Sequence, residues 1–167
     1  MKKIMVLFLV SFFFTFSFAT QKSEVNTSPV VSQEDLIKAS EEILAEYNLI
    51  KEDRKKDKYR NDALTEVVKQ ISPELPIKMS EDVSWTTIQT KKDGELKYTY
   101  VISELLTNVL QKNNEMKKEL EKSFEGLICD NPMMVALLKM GTKVEMEIVN
   151  KGNGKAFSTV KINKKTC

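Results

Sequence analysis

The residues able to do chemistry are few in kind. The chain has 167 residues, no histidine, and two cysteines, Cys129 and Cys167. Without imidazole there is no Ser-His-Asp or Cys-His nucleophile, no histidine metal ligand and no histidine pH switch. The cysteines are not in a CxxC spacing, so a thioredoxin-like redox role lacks its motif, and two thiolates alone make a poor zinc site. No metal and no cofactor are expected. Carboxylates are plentiful, and a carboxylate pair can do acid–base work unaided. Glu145 and Glu147 have such a spacing. They alternate with Val144, Met146 and Ile148, which puts them on the wet face of a half-buried strand. No glycine-rich loop follows a strand, Gly152-Asn153-Gly154 reads as a hairpin turn, and neither GxSxG nor HExxH occurs. No catalytic residue is assigned, and the chain is read as a non-enzyme. A hydrolase using carboxylates is the enzymatic alternative.

Three aromatic residues, Trp85, Tyr98 and Tyr100, lie near Lys91, Lys92 and Lys97. Exposed, they would resemble a single-strand nucleic-acid platform. The expectation is cross-strand core packing instead.

The chain's address is easier to read than its chemistry. Lys2 and Lys3 precede an apolar, phenylalanine-rich stretch, Ile4 to Phe18, and Ser17-Phe18-Ala19 supplies small residues at a cleavage site. That is the layout of a signal peptide, residues 1–19. About 15 apolar residues fall short of the roughly 20 that a membrane span needs. No cysteine stands at the cut, so the protein is not expected to be a lipoprotein or to keep a stable membrane anchor. Its expected place is the periplasm or outside the cell. Loss of Lys2 and Lys3 leaves equal numbers of basic and acidic residues, so no bulk charge draws it to nucleic acid or anionic lipid. In an exported chain, two cysteines read first as a structural disulfide, with free reactive thiols as the alternative.

Residues 20–31 are polar and read as a flexible N-terminus. A helical extension follows at 32–72. Ser32 caps a helix whose apolar positions are Leu36, Ile37, Ile43, Leu44 and Tyr47. The charged run Lys51 to Lys58 reads as a solvated helix end or linker. A second helix runs from about Arg60 to Ile71 and stops at Ser72-Pro73.

Residues 73–167 change character. Val83, Trp85 and Thr87 alternate with Ser84, Thr86 and Ile88; Lys91-Lys92-Asp93-Gly94 turns; Leu96, Tyr98, Tyr100 and Ile102 then share a face. Ser103 caps a single long helix expected from Glu104 to about Ile128. Asn131-Pro132 starts a short apolar helix that ends before Gly141. A second hairpin, Val144–Ile148 and Ala156–Ile162, closes the chain. The fold class is α+β: an antiparallel sheet of two hairpins, about four strands and up to five, packed by helices on one face.

The order Leu75-Pro76-Ile77-Lys78, a Thr-rich strand, Asp93-Gly94, Cys129-Asp130-Asn131-Pro132, Leu138-Lys139-Met140-Gly141 and Thr166-Cys167 resembles the beta-type pilotins of type II secretion systems, over about residues 75–167. The resemblance implies a disulfide between Cys129 and Cys167, no enzymatic activity, and a protein partner in the cell envelope such as a secretin segment. It departs from that family in lacking a lipobox cysteine and in carrying the helices of residues 32–71. The functional expectation is a soluble exported binding or assembly protein that holds a partner's peptide segment by its sheet edge or in a groove. Which residues bind the partner is unknown from sequence. A periplasmic inhibitor or stress-protection protein is the alternative.

Overall fold

The computed structural model describes residues 32–92 and 94–167. The expected signal peptide, the stretch 20–31 and Asp93 lie outside the described residues.

Local signals set most of the helix boundaries. The Ser32 hydroxyl accepts the Asp35 amide at 3.1 Å and opens helix α1 (Gln33–Leu49). Helix α2 (Asp53–Ile71) begins well before the expected Arg60. The charged run is its first two turns, where Lys58 pairs with Asp62 one turn on, at 2.7 Å, the spacing that supports an exposed helix. Ser103 caps α3 (Glu104–Lys112) by accepting the Leu106 amide. The long helix expected there is broken. Asn113, with φ −130° and ψ 96°, leaves the helical region, and its side chain accepts from the Glu115 and Met116 amides to start α4 (Asn114–Cys129). Asparagine competes for backbone donors in this way, so it ends one helix and caps the next. Asn131 and Pro132 then open α5 (Pro132–Lys139).

The strands are β1 (Ile77–Lys78), β2 (Val83–Lys91), β3 (Glu95–Ile102), β4 (Lys143–Asn150) and β5 (Ala156–Ile162). They form one sheet in sequence order. The two expected hairpins are present, with β1 as the added fifth strand. Where the hairpins meet, β3 and β4 pair in parallel, with Leu96 beside Val144, Tyr98 beside Met146 and Tyr100 beside Ile148. Parallel neighbours need a crossover, and α3, α4 and α5 supply it.

Alternation along β3 and β4 buries Leu96, Tyr98, Tyr100, Ile102, Val144, Met146 and Ile148 on one face. In β2 the simple alternation fails. The register shifts between Trp85 and Thr87, so Trp85 and Ile88, three apart, both point into the core. A bulge adds one residue to a strand and resets its faces. Trp85 lies 5.3 Å from Tyr98 and 6.1 Å from Tyr100, and Tyr100 lies 4.5 Å from Phe124, centroid to centroid. These aromatics are the centre of the core rather than a surface platform. Leu36 and Ile43 of α1 and Leu64, Val67 and Ile71 of α2 join the same core.

One polar side chain of α2 packs against the turn of the first hairpin. The Arg60 side chain is 14% exposed and pairs with Asp57 at 3.0 Å. It lies against Gly94, where a Cβ would meet its Nε at 2.5 Å. Gly94 also has φ +72°, the left-handed region that glycine enters without strain. Gly154 has a similar φ of +66° and open space around it. Gly154→Ala and Gly94→Ala are therefore each expected to lose the backbone term, about 1–2 kcal/mol, and Gly94→Ala only slightly more, because the atoms in its way are the movable end of Arg60. Denaturant unfolding of the two variants measures the difference.

Candidate partner-binding surface

Helix α4 sets one wall of an apolar groove. Phe124 and Ile128 point into the core, while Leu120 and Leu127, on the adjoining stripe, remain half-buried. The other wall is the turn between β1 and β2. There the Met79 and Ser80 amides both donate to the Val83 carbonyl, at 2.9 and 3.1 Å. The turn is pinned to the start of α3: the Ser103 hydroxyl donates to the Asp82 carboxylate at 2.6 Å, and the Ser103 amide donates to the Asp82 carbonyl at 2.9 Å. Met79, Ser80, Val83, Leu120, Ser123, Phe124 and Leu127 thus line a cleft of about 150 Å³. Small-molecule sites span roughly 300–1,000 Å³ and carry several convergent polar groups. This cleft has two serines and is smaller, so it suits an apolar side chain presented by a protein better than a free substrate. Exposed apolar residues continue on nearby elements: Met116 on α4, and Leu105 and Val109 on α3.

The face of the sheet opposite the helices is polar. Lys91 donates to Glu145 at 2.7 Å, and Lys97 approaches Glu145 at 3.9 Å and Glu147 at 2.7 Å. The Glu145 carboxyl is held below the usual carboxylate range, first by the hydrogen bond from Lys91. Partial burial opposes that shift, and the charges of Lys91, Lys97 and Lys161 add to it. Lys91 is pushed up, chiefly by the same bond. A general acid needs the opposite shift, a carboxyl raised toward neutrality. Both carboxylates act here as ion-pair partners in a surface ladder. Among the described residues no group of three or more His, Cys, Asp or Glu side chains could hold a metal. The Tyr98 hydroxyl, fully buried beside the Met134 sulfur at 3.6 Å, is pushed up by burial.

The cysteines are bonded to each other. Cys129 ends α4 and Cys167 lies in the tail, with a Cα–Cα separation of 5.2 Å and an S–S distance of 2.07 Å. Hydrogen bonds of Asn163 with Lys165 and Thr166 close a turn within the tail itself. The disulfide therefore fixes residues 163–167 to the helical layer. Sequence reasoning found this bond but not the groove. Its walls are forty residues apart in the chain, and only the half-apolar stripe of α4 hinted at one of them.

No protein-family model matches the chain, and no curated protein is similar to it. Solved structures share its fold. A candidate secreted protein from Pseudomonas aeruginosa superposes with a TM-score of 0.58 at 16% identity, covering 67% of this chain and 96% of that one. The pilotin EpsS of the Vibrio vulnificus type 2 secretion system gives 0.55 at 15% identity, covering 68% and 96%. The pilotin AspS of the Vibrio cholerae type II secretion system gives 0.53 at 16% identity, covering 68% and 97%. The fold is thus pilotin-like. Residues 1–31 are under a fifth of the chain, so the third left uncovered includes described residues as well.

Two measurements follow from these geometries. Replacing both cysteines by serine is expected to lower stability by about 3–4 kcal/mol in the loop-entropy picture, read from denaturant midpoints under non-reducing conditions. Glu145 has a lowered folded pKa, so its contribution is present above the unfolded carboxylate value, about 4.3, and is lost as pH falls through the folded one. Glu145→Gln should therefore be less stable than wild type at pH 7, with the gap closing below about pH 4.

Proposed function

We propose that the protein is an exported, non-enzymatic binding or assembly protein that holds an apolar peptide segment of a cell-envelope partner. A secretion-system component such as a secretin is the first candidate. The observation that carries this reading is the groove between α4 and the β1–β2 turn, set in a pilotin-like fold. Such a fold on its own does not define an activity. The groove gives it a feature suited to a side-chain anchor, and hot spots of recognition are commonly one or two apolar anchors seated in a small pocket.

Export is supported by the basic-apolar-small pattern of residues 1–19 and by the disulfide, a bond that persists in oxidising compartments. No helix among the described residues is long and apolar enough to cross a membrane. The ion-paired state of Glu145 and Glu147 supports the non-enzymatic reading over a carboxylate hydrolase.

The test is site-specific photo-crosslinking from Ser123, an exposed position on the groove wall. A probe there, with the chain expressed in its native host, should capture one or a few envelope proteins, identified by mass spectrometry. A second probe at Thr159, on β5 away from the groove, should not capture them. Equal capture from both positions, or none from Ser123, contradicts the assignment.

A further inference from the structure

The sheet has two edges, and they are guarded differently. At one, β1 is two residues long and follows Pro76, which has no N–H to offer, and helix α2 packs against β2. At the other, β5 runs seven residues without proline, and among the described residues no strand pairs with its outer side. A bulge at Phe157 disturbs its start, because Ile148 pairs with Ser158 and Val149 with Ala156. From Ser158 to Ile162 the pairing is regular. Every second residue of such a stretch turns its N–H and C=O away from the neighbouring strand.

The charge around this second edge has one sign. Residues 148–167 contain five lysines, Lys151, Lys155, Lys161, Lys164 and Lys165, and no aspartate or glutamate. All five are exposed, and among the described residues none of them is in a salt bridge. From residue 20 on, basic and acidic residues are equal in number, so the segment before 148 carries the matching negative excess. Two of the lysines precede β5, one lies within it and two follow it. Lysine on an edge discourages pairing with an uncharged strand. A second copy of β5 would bring five more lysines against these, which opposes self-pairing. The strand that this edge favours is an acidic one.

Side-chain alternation narrows the chemistry further. Thr159 and Lys161 face the open side of the sheet, in register with Glu147 and Glu145. Glu145 already accepts from Lys91 at 2.7 Å and has Lys97 at 3.9 Å, so three lysines share one carboxylate. On the helix side, Ser158 donates to Glu121 of α4, whose charge repels an acid placed there. The fitting strand therefore alternates, with acids toward the open side and small apolar residues toward α4. On its paired side β5 already has such a neighbour, since Val144, Met146 and Ile148 of β4 alternate with Glu145 and Glu147.

We propose that the outer edge of β5 is a strand-addition site for an acidic, alternating segment of a partner protein, which lengthens the sheet by one strand. The site is at the opposite edge of the sheet from the β1–β2 turn, and its occupant is a different one from the apolar segment assigned to the groove. The inference thus goes beyond the proposed function and can fail without it.

The test uses the full chain and two labelled peptides, Thr-Val-Glu-Val-Glu-Val-Thr and the same peptide with lysine in place of glutamate. The acidic peptide should bind about tenfold more tightly than the basic one. It should slow amide exchange in residues 158–162 and leave residues 79–83 and 120–127 unchanged. Lys161→Glu should weaken the acidic peptide about fivefold and strengthen the basic one, while the single tryptophan, Trp85, keeps its native fluorescence. If Lys161→Glu disturbs the fold beside Glu145, Lys161→Gln decides by weaker binding of the acidic peptide. Three results overturn the proposal: no preference for the acidic peptide, binding that leaves exchange in 158–162 unchanged, or displacement of the peptide by phosphatidylglycerol vesicles, which would make a lipid surface the occupant.

Discussion

The parallel pairing of β3 with β4 is the constraint from which the rest of the architecture follows. Two hairpins adjacent in a sheet could have met edge to edge in either sense. Because they meet in parallel, the chain must leave the end of β3 and return to the start of β4, a full strand length away. That return runs through α3, α4 and α5, so three helices cover the same face of the sheet. Tyr98, Tyr100, Met146 and Ile148 are buried beneath them. The opposite face keeps its lysines and glutamates in water, where they pair with one another.

The helix-covered side also generates the functional geometry. The break at Asn113 lets α4 take its own direction after α3. Its flank then runs beside the β1–β2 turn, and the gap between them is the groove. The same turn is clamped to the cap of α3 by Asp82 and Ser103, so both walls belong to rigid elements, as a binding site on a scaffold should. At the far end of α4, the bond from Cys129 to Cys167 holds the tail against the helical layer. The sulfurs thus hold the end of the helix that forms one wall of the groove.

Much of this was legible in the sequence, and the parts that were not share a cause. Ser32, Ser103 and Asn131 announced their helices because capping is a contact across three residues. Leu96, Tyr98, Tyr100 and Ile102 announced their strand because alternation is equally local. The cysteine pair was legible from composition. The parallel join was not, since nothing in either hairpin states which partner lies beside it. The bulge at Thr86 was hidden because Trp85 and Ile88 look out of phase until the extra residue is seen. The start of α2 was hidden because its first turns carry only charge. The groove residues Met79 and Val83 gave no signal at all: they meet Leu120 and Leu127 only through the fold. Pilotin-like motif order, in contrast, pointed to the right architecture from the second half of the chain alone.

The account rests on the molecule working by grip, with its groove as the gripping surface. Amide exchange on the full chain, free and bound to an envelope protein captured through the Ser123 probe, addresses that directly. The account predicts added protection in residues 79–83 and 120–127 and unchanged exchange across β5. A bound complex in which those two segments exchange as they do in the free chain would contradict it.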